Sequence, residues 1–263
     1  MSANTAFQPV TERGWRRGLN NLMNAEFSRW WKTRRWWMQA LIWTMVSNGM
    51  VGLLLWSPEP PAFDEIVMLY CVLGGMFAAV AVIILMQDAI VGEKQAGTAA
   101  WLLSKPVARP AFILSRLVPN AAGILVNVLL IPGLLVFAQF RLHGAAQVNP
   151  ITFLLALLVL GVNLLFFQAL TLMLGTLFNQ RGPVIGIALA FLFVQQYLIG
   201  FVPPLQHVLP YTLVLPLNDV GGAIAPMLIM GQQPGSWLPL FGTLGWIVLF
   251  IAVSIWRFNR EEF

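Results

Sequence analysis

Six long stretches of the chain contain no Asp, Glu, Lys, Arg or His: Trp36–Trp56, Ile66–Gln87, Leu117–Phe140, Ile151–Phe178, Pro183–Val202 and Trp237–Trp256. Each reaches the roughly 20 predominantly apolar residues that carry a helix across about 30 Å of hydrocarbon. Helix is the expected form, because hydrocarbon offers no partner to a free backbone N–H or C=O. The runs are also continuous, unlike the roughly ten-residue alternating segments of a barrel. The pattern predicts an all-α polytopic membrane protein, with six transmembrane helices at 36–56, 66–87, 117–140, 151–178, 183–202 and 237–256. Together they make one transmembrane domain over 36–263, whose fourth helix is long enough to tilt or to extend past the lipid.

Between the runs the pattern changes. Residues 1–13 read as a polar tail, and from Leu19 the apolar positions Leu19, Met23, Phe27, Trp30 and Trp31 recur at three- and four-residue spacing. Opposite them fall Asn20, Asn24, Arg29, Lys32 and Arg35, so residues 1–35 predict a tail followed by an amphipathic helix in the headgroup plane, an elbow before the first span. Glu26 and Arg34 intrude on its apolar face. Either this helix only anchors the first span, or it packs against the spans and touches a partner. Asp88–Arg116 is the one substantial loop on its side, with helix-forming residues from Gly92 to Ser104 and a stop at Lys105-Pro106. Pro203–Ser236 holds six prolines and no Lys or Arg, yet Val220–Met230 is apolar and too short to cross. A re-entrant or interfacial segment before the last span is expected there.

Charge fixes the expected orientation. Fourteen of the 15 lysines and arginines lie before the first span, in Asp88–Arg116, at Arg181 or after the last span, and only Arg141 falls in the opposite set of loops. Such a bias places both termini in the cytoplasm of a multi-pass cell-membrane protein. Four acids, Glu59, Asp64, Glu65 and Asp219, fall in the loops expected outside. The start lacks the apolar core of a cleavable signal, so the first span is expected to serve as the targeting signal. With 59% hydrophobic and 10% charged residues, the composition excludes a soluble domain and a disordered chain. A net charge of +5 spread among apolar runs is no nucleic-acid patch, and the single cysteine, Cys71, excludes a disulfide scaffold.

Candidate chemistry is sparse. No Gly-x-x-x-x-Gly-Lys-Ser/Thr loop occurs, so the chain is expected to bind no ATP of its own. His143 and His207 are far apart and in no metal-binding spacing, and no Gly-x-Ser-x-Gly elbow or intraspan carboxylate pair is present. No metal, no cofactor and no catalytic role are therefore expected on this chain. The spans offer only amides: Asn48, Asn127, Asn163, Gln168, Gln195 and Gln196. These either bond between helices, or, for Asn163, Gln168 and Gln195, line a translocation path.

One stretch carries a resemblance. Glu93-Lys-Gln-Ala-Gly97-Thr98-Ala-Ala-Trp101-Leu102-Leu103-Ser104-Lys-Pro106-Val107-Ala-Arg109 resembles the signature region of ABC-type exporter permeases, the second ABC export class, whose ATPase is a separate chain. Glu26 with Arg34 before the first span, and Gly175-Thr-Leu-Phe-Asn-Gln-Arg181 between the fourth and fifth, resemble two further family features. Ala99 and Ala100 stand where the family commonly has an acid after Gly-Thr. The resemblance implies a coupling helix near Glu93–Ser104 seated on an ABC ATPase, with Glu93, Gly97, Thr98, Trp101, Leu102, Leu103, Pro106 and Arg109 as coupling residues. It implies Glu26, Trp30, Trp31 and Arg34 as an interfacial elbow. It also implies two ATP-binding subunits carrying ATP and Mg, a second permease chain (homodimer or paralogous heterodimer) and an exporter of unidentified substrate. Trp101, Leu102 and Leu103 are of the type that anchors interfaces. A non-transporting scaffold or assembly factor, or an ion-coupled carrier, is the alternative.

Overall fold

The computed structural model describes residues 12–144, 148–217 and 222–261, apart from the Leu103 side chain. Most of the tail expected over 1–13 lies outside the described residues, as do Asp219 and the first residues of the apolar stretch 220–230. Among the described residues there is no strand, and six helices are long and apolar enough to cross a membrane.

A helix α1, Leu19–Trp31, precedes the first of them. The spanning candidates are α2 (Arg35–Leu55), α3 (Phe63–Gln95), α5 (Arg109–Leu142), α6 (Pro150–Leu177), α7 (Arg181–Phe201) and α10 (Leu238–Asn259). A short helix α4, Thr98–Leu103, lies between α3 and α5. Two more, α8 (Tyr211–Val214) and α9 (Ile224–Ile229), lie between α7 and α10. The helices α3 and α5 overrun their expected limits of 66–87 and 117–140, and the loop expected at Asp88–Arg116 shrinks to 96–108. Lack of charge locates the hydrocarbon, whereas backbone hydrogen bonding carries a helix on beyond it.

Helix starts follow local chemistry. Asn149 caps α6, its Oδ1 accepting from the Ile151 amide at 2.8 Å, with Pro150 in the first turn. Pro119 lies inside α5 and supplies no amide, and the Asn120 side chain next to it donates to the Arg116 carbonyl at 2.7 Å. The long helices α3 and α5 each contain a π-helical stretch, Val72–Phe77 and Leu125–Leu130.

The helix α6 is the centre of the bundle, packed by α3, α5, α7, α9 and α10. Its Asn163 donates to the Gly75 carbonyl inside the π stretch of α3 at 3.0 Å. At Gly75 a Cβ would lie 2.6 Å from Val214, so only glycine lets α8 approach α3 this closely. The helix α2 is fastened to α5 by amides: Asn48 donates to the Pro132 carbonyl at 3.1 Å and Gln139 to Asn48 Oδ1 at 2.9 Å. The short helix α9 is buried against α3 and α6, which accounts for an apolar stretch too short to span.

Candidate functional site

Arg17 and Glu261, near the two ends of the described residues, meet residues that flank α4, at the end of the bundle that carries nearly all the cations. The extended helix α3 stops where Gly97 takes a left-handed φ of +69°, a conformation costly for other residues, and α4 starts immediately after it. The Thr98 hydroxyl donates to Glu93, whose carbonyl lies at 3.1 Å and whose carboxylate also accepts. The other Glu93 oxygen lies 3.0 Å from Nη2 of Arg116, on α5. The Nη1 of Arg116 pairs with Glu26, on α1. One guanidinium thus holds two carboxylates and joins α1, α3 and α5, with Arg116 and Glu26 side chains only 7% and 9% exposed. A cation with two full counter-charges and little water is stable only while all three are present.

Trp30 reinforces the joint. Its indole is fully buried, donates Nε1–H to Asn120 Oδ1 at 2.8 Å, and lies flat against Gly123 of α5. The preceding residues bind the loop after α4, the Ala108 amide donating to the Arg17 carbonyl at 3.0 Å.

Further contacts fix α3 to the end of α6, to the α6–α7 link and to the residues after α10. Lys94 pairs with Glu261 at 2.7 Å and donates to the Thr176 carbonyl at 3.0 Å, while Gln95 donates to the Asn179 carbonyl at 2.9 Å. Arg109 donates to the carbonyls of Phe258, Asn259 and Glu261 at 2.7–3.0 Å, a cation at the C-terminal end of α10 where the helix dipole favours one. Phe112 stacks on Phe258 with ring centres 5.0 Å apart.

Among the described side chains of α4, Trp101 is the large apolar one that faces outward. Trp101 is 62% exposed and carries the Lys105 ammonium 3.5 Å from its ring centre. Ala99 is buried and Leu102 is half-buried against the chain's own core, while Pro106 is exposed. The Leu103 side chain lies outside the described residues.

A family model described as ABC-2 family transporter protein matches residues 21–263, from within α1 through the last span. The chain belongs to the ABC-2 transporter family. No curated protein matches it. As an ABC-2 member it is the membrane-embedded permease subunit of an ABC transporter, which implies an ABC ATPase partner and a transport rather than a catalytic role.

The expected coupling residues of this ABC-2 chain do not form one surface. Glu93 and Thr98 face the Arg116 cluster, Gly97 makes the break, Arg109 closes α10, and Trp101 faces out. The elbow residues also divide. Glu26 and Trp30 point into α5, whereas Trp31 and Arg34 are exposed, and Glu26 pairs with Arg116 rather than Arg34. The three pathway candidates are buried in this single chain. Asn163 serves Gly75, Gln168 donates to the Leu117 carbonyl at 2.8 Å and Gln195 to the Leu192 carbonyl at 3.0 Å.

Sequence reasoning missed Arg116, Asn120 and Glu261. Arg116 had a signal: it lies one residue before a long apolar run, with Asn120 one turn on, and a cation so close to the lipid requires a counter-charge. Among the described residues no group of His, Cys, Asp and Glu could hold a metal.

Proposed function

We propose that this permease belongs to an ATP-driven exporter of unidentified substrate, energised by ATPase subunits on separate chains that dock on α4. The observation that carries the proposal is Trp101, a large aromatic left 62% exposed on a short helix beyond the ends of the spans. An exposed Trp beside a fixed frame is the kind of anchor that fills a partner's pocket. Motion imposed on α4 has a direct route inward, through Thr98 and Glu93 to Arg116, and from there to α1 and α5. The partners bind ATP and Mg, this chain does no chemistry, and two permease chains with two ATPases form the transporter. Broad exposed apolar faces on α2, α7 and α10 are available to lipid and to the second permease chain.

Replacing Trp101 by Ala should leave the six spans folded, because the side chain is largely exposed and α4 lies outside the spans. Retention of the ATPase subunit on co-purification should fall on the order of 30-fold, since truncating an interface anchor often costs about 2 kcal/mol or more. Full ATPase retention with full substrate-stimulated hydrolysis would sink the proposal.

The orientation proposed is cytoplasmic for the end bearing α4 and both termini. In intact cells an impermeant thiol reagent should label a cysteine at Gln232 and spare one at Ser104, both exposed positions, while buried Cys71 stays silent. Labelling at position 104 alone would reverse the topology.

A further inference from the structure

Beside the Arg116 cluster is a polar recess of about 350 Å³, walled by Glu26 and Arg29 of α1, Arg35 of α2, Leu85 and Asp88 of α3, and Arg116 of α5. That volume lies at the small end of the roughly 300–1,000 Å³ typical of ligand pockets. Its carboxylates are already engaged. Glu26 holds Arg116, and Asp88 lies 2.9 Å from Arg181. The cations on the α1–α2 wall are not so matched. Arg29 reaches Glu26 only at 3.8 Å, and Arg35 lies over the Trp30 ring at 4.5 Å with no carboxylate partner among the described residues. Two guanidiniums therefore face one concave space with less than one counter-charge between them.

The surroundings say what kind of anion suits it. Arg35 is the first residue of the first spanning helix, and Trp31 and Trp36 beside it are partly exposed, with ring centres 6.3 Å apart. Tryptophans in this position mark headgroup depth. Ile84, on the lining and one turn towards the hydrocarbon from Asp88, is 51% exposed. The recess thus has guanidiniums at headgroup level and an apolar exit below them. Planar guanidinium groups bind phosphate oxygens in pairs, which an ammonium does not.

We propose that this recess binds the phosphate of an anionic phospholipid headgroup through Arg29 and Arg35, with an acyl chain leaving along Ile84. The site is separate from the ATPase-facing surface of α4, and it ties α1 to the bilayer on the same face where α1 is tied to α5.

The test uses the full chain in detergent, offered equal amounts of phosphatidylglycerol and phosphatidylcholine, with retained lipid counted by native mass spectrometry. The wild-type protein should retain phosphatidylglycerol in preference. Arg29→Gln with Arg35→Gln should reduce that preference on the order of tenfold, whereas the paired Lys substitutions should keep much of it. Asp88→Asn removes a carboxylate from the lining and should raise retention of phosphatidylglycerol, a gain that misfolding cannot produce. An unchanged preference in the Gln variant, or no gain in Asp88→Asn, would overturn the proposal. Millimolar inorganic phosphate that displaces the lipid one for one would also overturn it, because the occupant would then be a soluble phosphate.

Discussion

Replacing Arg116 by Met should destabilise the protein by about 3–5 kcal/mol, the cost of leaving buried carboxylates without their cation. Glu26 has almost no water to turn to, and its other cation, Arg29, stands off at 3.8 Å on an exposed side chain. Glu93, 22% exposed, would keep the Thr98 hydroxyl and some water, so most of the cost falls on Glu26. The loss should be largely recovered by changing all three residues together, Arg116→Met with Glu26→Gln and Glu93→Gln, because a neutral cluster of similar volume has no charge to strand. Thermal unfolding of the detergent-solubilised chain measures both. If the single and triple variants melt alike, the cluster is packing rather than charge balance.

Trp30→Ala should cost about 3–5 kcal/mol, the range for removing a large buried aromatic, and should also leave Asn120 Oδ1 without its donor. Gly123→Ala attacks the same joint from the other side, since its Cβ would fall 2.3 Å from the indole. No rotation of a fully buried Trp accommodates that, so α1 must shift. Trp31, next in sequence, is 40% exposed, and Trp31→Ala should stay within about 0.5 kcal/mol of wild type. Limited proteolysis in the Lys32–Arg34 link reports release of α1, expected to be fast in the Trp30 and Gly123 variants and slow in the Trp31 variant. Equal cleavage of the Trp30 and Trp31 variants would mean that α1 is held by something other than this indole.

The contrast between these two tryptophans shows where sequence ran out. Periodicity placed Trp30 and Trp31 together on one apolar face, because it encodes the angle around a helix and not which neighbour waits there. Glu26 looked like a flaw in that face. Its partner lies 90 residues away, and pairing across that distance leaves no periodic trace. The six spans were legible, since twenty uncharged residues have one stable form in hydrocarbon. Their ends were not, because Asp88–Gln95 and Arg109–Arg116 stay helical by hydrogen bonding and ion pairing where apolarity no longer decides. The Glu93–Arg109 motif stood out in the sequence by its resemblance, while the burial of Ala99, half-burial of Leu102 and exposure of Trp101 depend on how α4 lies on the frame.

The π stretches in α3 and α5 have a consequence for how the length of these helices is constrained. A π turn holds one residue more than an α turn needs, so side chains beyond it are rotated by about 100° from an uninterrupted helix. The phase of Glu93 and Arg116 relative to the opposite end of the bundle is therefore set by one surplus residue in Val72–Phe77 and another in Leu125–Leu130. Loss of one residue inside either π stretch would restore ideal α winding and leave Glu93 and Arg116 facing as they do, whereas loss of one residue elsewhere in either helix would turn one member of the cluster away from the other. Single-residue deletions in these two spans are therefore tolerable inside the π stretches and not outside them, a stricter rule than hydrophobicity alone imposes on a membrane helix.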